Sequence, residues 1–74
     1  MSAEALNALT PGNVYSLSEE NKNILNKALN GYLSGVAFAK KSEDGNWHIK
    51  PATYSDKKLI LNIAIQLNLK IEEI

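Results

Sequence analysis

The chain has 74 residues, of which 45% are hydrophobic and 22% are charged. This length allows one small domain with a core, spanning residues 1–74, and excludes multi-domain machinery. The absence of cysteine excludes a disulfide scaffold, a thiolate metal site and a cysteine nucleophile. Eight lysines balance eight acidic residues, and arginine is absent. Composition therefore gives no electrostatic argument for a dedicated nucleic-acid or anionic-membrane binder, and nucleic acid is not the favoured partner.

No part of the sequence looks like a membrane or export signal. The apolar stretches are far shorter than the roughly 20 residues that a membrane helix needs. The N-terminus has neither a basic region nor an apolar h-region. We therefore expect no membrane partner and a cytoplasmic location.

Two N-terminal segments have helical patterns. Residues 2–9 predict two helical turns that begin at Ser2 and stop before Pro11. A second helix is predicted over 17–30, because Ser16 and Glu19 have the spacing of a capping box. One apolar stripe runs along this helix and comprises Ile24, Leu25, Ala28, Leu29 and Tyr32. The Asn30-Gly31 pair is a typical left-handed helix stop.

The middle of the chain predicts a β-hairpin over 35–50. After Gly31 the chain becomes apolar, with Val36 and Phe38 on one alternate row. Asp44-Gly45 then supplies a turn, because glycine accepts the positive φ that tight turns require. Trp47 and Ile49 alternate with polar residues along the return strand, which Pro51 ends or places at a sheet edge.

The segment from Lys57 to Ile74 has two competing patterns. Apolar residues occupy the odd positions from 59 to 71, namely Leu59, Leu61, Ile63, Ile65, Leu67, Leu69 and Ile71. Only Ile60 and Ala64 break the alternation. This period favours a strand over 58–71. The composition favours a helix, with Ser55 or Asp56 as its cap and Asn68 as its stop.

Both interpretations give an α+β fold. The preferred one packs one or two N-terminal helices on a three-stranded antiparallel meander, and the alternative is helix, β-hairpin, helix. In the preferred fold the last strand would run about 45 Å, twice the length of the hairpin strands. An unpaired apolar edge recruits another strand, unless residues 2–15 cover it.

This pattern predicts a non-enzymatic protein-interaction module that self-associates as a homo-oligomer or docks on a larger protein through residues 59–71. The predicted interface residues are Leu61, Ile63, Ile65, Leu67 and Leu69.

Candidates for chemistry are few. His48 is the lone imidazole, and no carboxylate or hydroxyl is placed beside it by any certain spacing, so no catalytic residue is predicted. Three acidic pairs have plainer explanations than a metal site: Glu19-Glu20 suits the first turn of a helix, Glu43-Asp44 suits a turn, and Glu72-Glu73 suits a solvated tail. Glycine spacing does not match a phosphate-binding loop. We therefore expect no metal and no cofactor.

The alternative function is a nucleic-acid-binding β-hairpin. Lysine, histidine and tryptophan cluster around the predicted turn, and such a surface can lie in a groove or stack single-stranded bases. The predicted contact residues are Lys40, Lys41, Trp47, His48 and Lys50.

The order of elements, with Asp44-Gly45 as the hairpin turn and Tyr54-Ser55-Asp56 opening the last segment, distantly resembles small phage head-to-tail joining proteins. The shared turn and cap are too few residues to transfer a function.

Overall fold

Four short strands and three helical segments follow one another in residues 13–74, which are the part of the chain that the computed structural model describes. The strands are β1 (Tyr15–Leu17), β2 (Ala37–Lys41), β3 (Trp47–Pro51) and β4 (Glu72–Glu73). The helices are α1 (Glu19–Ala28), the single turn α2 (Leu33–Val36) and α3 (Tyr54–Gln66). The predicted α+β class is confirmed, and the helix predicted over 2–9 lies outside the described residues.

The sheet has the order β2-β3-β1-β4, and every neighbouring pair is antiparallel. β1 and β2 are therefore parallel, with β3 between them, and α1 lies on the connection that joins them. In the same way β3 and β4 are parallel to each other, with β1 between them, and α3 lies on the connection that joins them. Two split β-α-β units thus interleave, which is the ferredoxin-like topology. The residues predicted as an acidic tail, Glu72 and Glu73, form β4 and pair with β1.

The two faces of the sheet differ in character. Residues that pair directly across strands share a face, and successive residues alternate between faces. Tyr15 and Ile49 are such partners, and they belong to a core cluster with α1 and α3: Tyr15, Leu17, Leu25, Leu33, Ala37, Ile49 and Ile60. The opposite side, called the open face below, carries no residue of this cluster. Its residues are Ser16, Phe38, Lys40, His48, Lys50 and Glu72.

Helix α1 lies where its apolar stripe predicted, but it begins at a different cap. Ser18 is the N-cap, and its Oγ accepts a hydrogen bond from the Asn21 backbone N–H at 3.1 Å. The predicted cap Ser16 is instead in β1, opposite His48. The predicted stop is confirmed: Asn30 has φ +56°, and the Gly31 N–H donates to the Asn26 carbonyl at 2.8 Å. Together with the bond from the Asn30 N–H to the Lys27 carbonyl at 3.0 Å, it forms a Schellman motif, which satisfies carbonyls at the helix end.

The predicted hairpin over 35–50 is confirmed as β2 and β3, although residues 33–36 form the helical turn α2 before the first strand begins. Gly45 has φ +89° in the connecting turn. The Asp44 carboxylate accepts a hydrogen bond from the Asn46 backbone N–H at 2.9 Å, and this bond is the main cause of the lowered pKa of Asp44. Pro51 ends β3 as expected.

The preferred prediction of a strand over 58–71 is wrong, and with it the three-stranded meander; the alternative helix forms as α3. The two residues that broke the alternation decide the outcome. Ile60 and Ala64 lie one helical turn apart and are 0% and 2% exposed, so the buried positions follow the spacing of a helix and not the alternation of a strand. Asn68 has φ +54°, and the Leu69 N–H donates to the Ala64 carbonyl at 2.8 Å. Asn68 is thus the helix stop that the alternative predicted.

The cap of α3 gives a direct test of this helix start. Thr53, and neither Ser55 nor Asp56, is the N-cap, because its Oγ1 accepts from the Asp56 backbone N–H at 3.1 Å. We expect Thr53→Ala to lower the free energy of unfolding by about 1 kcal/mol, measured by urea denaturation followed by circular dichroism. The control Ser55→Ala should change it by less than about 0.5 kcal/mol. A larger loss for Ser55→Ala would place the cap where the sequence alone suggested.

Candidate functional site

The five predicted interface residues separate into exposed and partly buried groups. Ile65 is 76% exposed and Leu67 is 47% exposed. Leu61, Ile63 and Leu69 are partly buried and pack against the core cluster. The helix therefore uses one side for the core and leaves a second apolar flank in contact with solvent.

Three of the five predicted residues come together in one depression, called the α3 groove below. Its lining is apolar except for Asn68: Leu61, Ala64, Ile65, Asn68, Leu69 and Ile71. The groove exists because the left-handed turn at Asn68 reverses the chain direction, so that Leu69 and Ile71 lie beside the last turns of α3. Ile63 and Leu67 are not part of this lining.

The charges around α3 are distributed unevenly along its length. Lys57 and Lys58 lie in its first two turns, and the Lys58 Nζ lies 5.1 Å from the centre of the Tyr54 ring. The acidic pair of β4 follows the C-terminal end of the helix, where Glu72 forms a salt bridge with Lys70 at 3.4 Å. Asp56 also lies in the first turn, so the two lysines leave the start of the helix with one net positive charge. This is opposite in sign to the end that carries the helix-dipole negative charge and the acidic strand.

The five predicted nucleic-acid contacts do not form one surface. Lys40, His48 and Lys50 lie on the open face, whereas Lys41 and Trp47 pair across β2 and β3 on the helix-bearing face. The five residues are therefore divided between the two faces of the hairpin. Alternation along each strand separates neighbouring residues such as Lys40 and Lys41.

Trp47 and Lys41 have structural partners on α1. The Trp47 indole N–H donates to the Glu19 carboxylate at 3.4 Å, and the Lys41 Nζ lies 3.5 Å from the same oxygen. The Lys22 Nζ lies 4.2 Å from the centre of the Trp47 ring. The hydrogen bond from Trp47, followed by the charge of Lys41, lowers the pKa of Glu19. These contacts connect the first turn of α1 to the β2–β3 hairpin.

One residue of the open face was missed by the sequence reasoning. Phe38 is 72% exposed and lies directly opposite Lys50. The signal that could have found it is the hairpin register, since pairing around the Asp44-Gly45 turn places Phe38, Lys40, His48 and Lys50 on one side.

In residues 13–74 no group of three or more histidine or acidic side chains is arranged to hold a metal ion. Over the same range, none of the helices combines the length and the apolar character that crossing a membrane requires. No family model, curated protein or solved structure matches the chain.

Proposed function

We propose that this protein is a non-enzymatic interaction module that forms a homodimer through the α3 groove. The observation that carries the proposal is the 76% exposure of Ile65 on the border of a depression whose other lining residues are almost all apolar. An exposed apolar patch bordered by polar residues is typical of a protein-interaction site. The strand-pairing mechanism is replaced by helix packing, because residues 54–66 are helical.

A second copy of the chain is the occupant that fits the charges. A two-fold axis across α3 would place two α3 helices antiparallel, and each contact would occur twice. The lysines at the start of one helix would then approach the C-terminal end of the other, with its negative dipole and acidic strand. The chain has zero formal net charge, so two copies do not repel each other through net charge.

The expected dimer is weak. Burying a large aliphatic side chain is worth about 1.5–3 kcal/mol, so the two copies of Ile65 supply about 3–6 kcal/mol. This is less than the sum of the 4.1 kcal/mol or so that a millimolar dissociation constant represents and the cost of association, which is about 4 kcal/mol or more. Leu61, Leu69 and Ile71 must supply the rest, against the loss of rotational and translational freedom. A dissociation constant in the micromolar to millimolar range follows.

Sedimentation velocity tests the proposal on the unmodified chain. We expect the weight-average mass to rise from near 8.1 kDa toward twice that value as the concentration increases from about 5 µM to about 500 µM, the range in which a small interface is partly dissociated. A mass of one chain at every concentration would contradict the proposal. A mass that grows without limit would contradict a closed two-fold dimer.

A further inference from the structure

The open face concentrates positive charge that the whole chain does not have. Among the strand residues that the structure describes, it carries Lys40 and Lys50, and its acidic residue is Glu72, which pairs with Lys70. The chain as a whole has a formal net charge of zero. The strand register therefore places two of the lysines on the same face of the sheet.

An exposed aromatic ring lies within this basic surface. Phe38 is 72% exposed, is directly opposite Lys50 and is two residues from Lys40 on the same strand. Direct cross-strand partners are about 5 Å apart at Cβ, and residues two apart on a strand are separated by about 7 Å. Phe38 and Lys50 form one row of cross-strand partners, and the next row runs from Lys40 through His48 to Ser16. Hydrogen-bonding side chains therefore extend from the ring toward the centre of the sheet.

We propose that the open face binds single-stranded nucleic acid, a function separate from dimerisation through the α3 groove. Phe38 stacks on one base, Lys40 and Lys50 contact the phosphates on either side, and Ser16 and His48 lie in position to hydrogen-bond the next nucleotide. Stacking of unpaired bases on exposed aromatic side chains of a four-stranded sheet is a general mode of recognition. A duplex is not the expected ligand, because a flat face with one aromatic ring offers nothing to insert into a groove.

The contacts set the expected salt dependence. Each phosphate neutralised on a single strand contributes about −0.7 to the slope of log K against log salt, so two lysines predict a slope near −1.4. Arginine is absent, and the bidentate phosphate contacts that it makes are absent with it. We therefore expect modest affinity, measurable at about 50 mM salt and about sevenfold weaker at about 200 mM salt.

Fluorescence anisotropy with a fluorescein-labelled oligodeoxythymidine tests the proposal on the full chain. Phe38→Ala should weaken binding by about tenfold, within the range that one stacked base contributes. Circular dichroism should show an unchanged fold, because the Phe38 side chain is largely exposed. The control Tyr54→Ala removes another exposed aromatic ring, located on α3 and not on the sheet, and should leave binding unchanged.

Adjacent lysines provide the matched electrostatic control. Lys40→Gln should weaken binding severalfold and reduce the salt slope by about 0.7. Lys41→Gln removes the same charge from the next residue, which lies on the opposite face beside Glu19, and should have little effect. Equal losses for the two variants would overturn the proposal, since they would indicate attraction to net charge alone.

Inorganic polyphosphate separates base stacking from phosphate binding. Polyphosphate has no bases, so its binding should be lowered by Lys40→Gln and unaffected by Phe38→Ala. If Phe38→Ala leaves the binding of oligodeoxythymidine unchanged, the assignment of Phe38 as the stacking residue is overturned. Absence of binding at about 50 mM salt, where electrostatic contacts are strong, would overturn the proposal as a whole.

Discussion

Ile65→Lys is expected to abolish the dimer over the concentration range in which the unmodified chain associates. Ile65 is the most exposed of the large apolar residues of α3, and in the dimer it would be buried against the partner's groove. Lysine removes this apolar contact and introduces an ammonium group that the apolar lining cannot solvate. Loss of a hot-spot residue from an interface costs about 2 kcal/mol or more, which is about a 30-fold rise in the dissociation constant. Sedimentation velocity measures this change.

Leu59→Lys is the matched control for this variant. Leu59 lies on the same helix and is 43% exposed, but it does not line the α3 groove. The same added charge should therefore leave the dimer in place. A dimer that is lost with Leu59→Lys and retained with Ile65→Lys would show that another side of α3 forms the interface.

Ile60→Ala is expected to destabilise the fold severely. Ile60 is fully buried and belongs to the core cluster between α3 and the sheet. Truncation of a buried isoleucine to alanine costs about 2–5 kcal/mol. A domain of this size has a total stability of only about 4–11 kcal/mol. Urea denaturation followed by circular dichroism should show a large decrease in the midpoint, or an unfolded protein without urea.

Ile65→Ala is the matched control for the core substitution. It makes the same change five residues further along the helix, on a side chain that is largely exposed, so the free energy of unfolding of the monomer should change by less than about 0.5 kcal/mol. The two variants also distinguish the helix from the rejected strand, because the strand would have placed Ile65 on its apolar face and Ile60 on its polar face. Similar losses at both positions would contradict the burial pattern of α3.

The sequence predicted the elements that are determined by local signals. Helix α1 follows from its apolar stripe and from the Asn30-Gly31 stop, and both features act within a few residues of each other. The β2–β3 hairpin follows from its Asp44-Gly45 turn in the same way. These features could be read without knowledge of any distant contact.

The edge of the sheet and the last helix depend on distant contacts. β1 has three residues and β4 has two, which is too short to produce a periodic pattern. They form because Tyr15 and Ser16 pair with β3 on one side and β4 on the other. The alternation along α3 is real but misleading, because partly buried flanks of a helix accept apolar residues beside the core positions Ile60 and Ala64.

The candidate sites were partly accessible from the sequence. Leu61, Ile65 and Leu69 were predicted as interface residues from a strand pattern, and they meet in the α3 groove for a different reason, namely the reversal of the chain at Asn68. Phe38 was not among the predicted contacts, since its partners on the open face become evident only when the hairpin register is known.

Isotope-filtered NMR on a mixture of ¹³C-labelled and unlabelled chains tests the dimer interface most directly, because it detects only contacts between copies. We expect intermolecular NOEs that involve the methyl groups of Leu61, Ile65 and Leu69, and none that involve Leu59. Intermolecular NOEs at Leu59 or Phe38 with none at the groove residues, or no intermolecular NOEs at concentrations where the mass is that of a dimer, would contradict the α3 groove as the site of self-association.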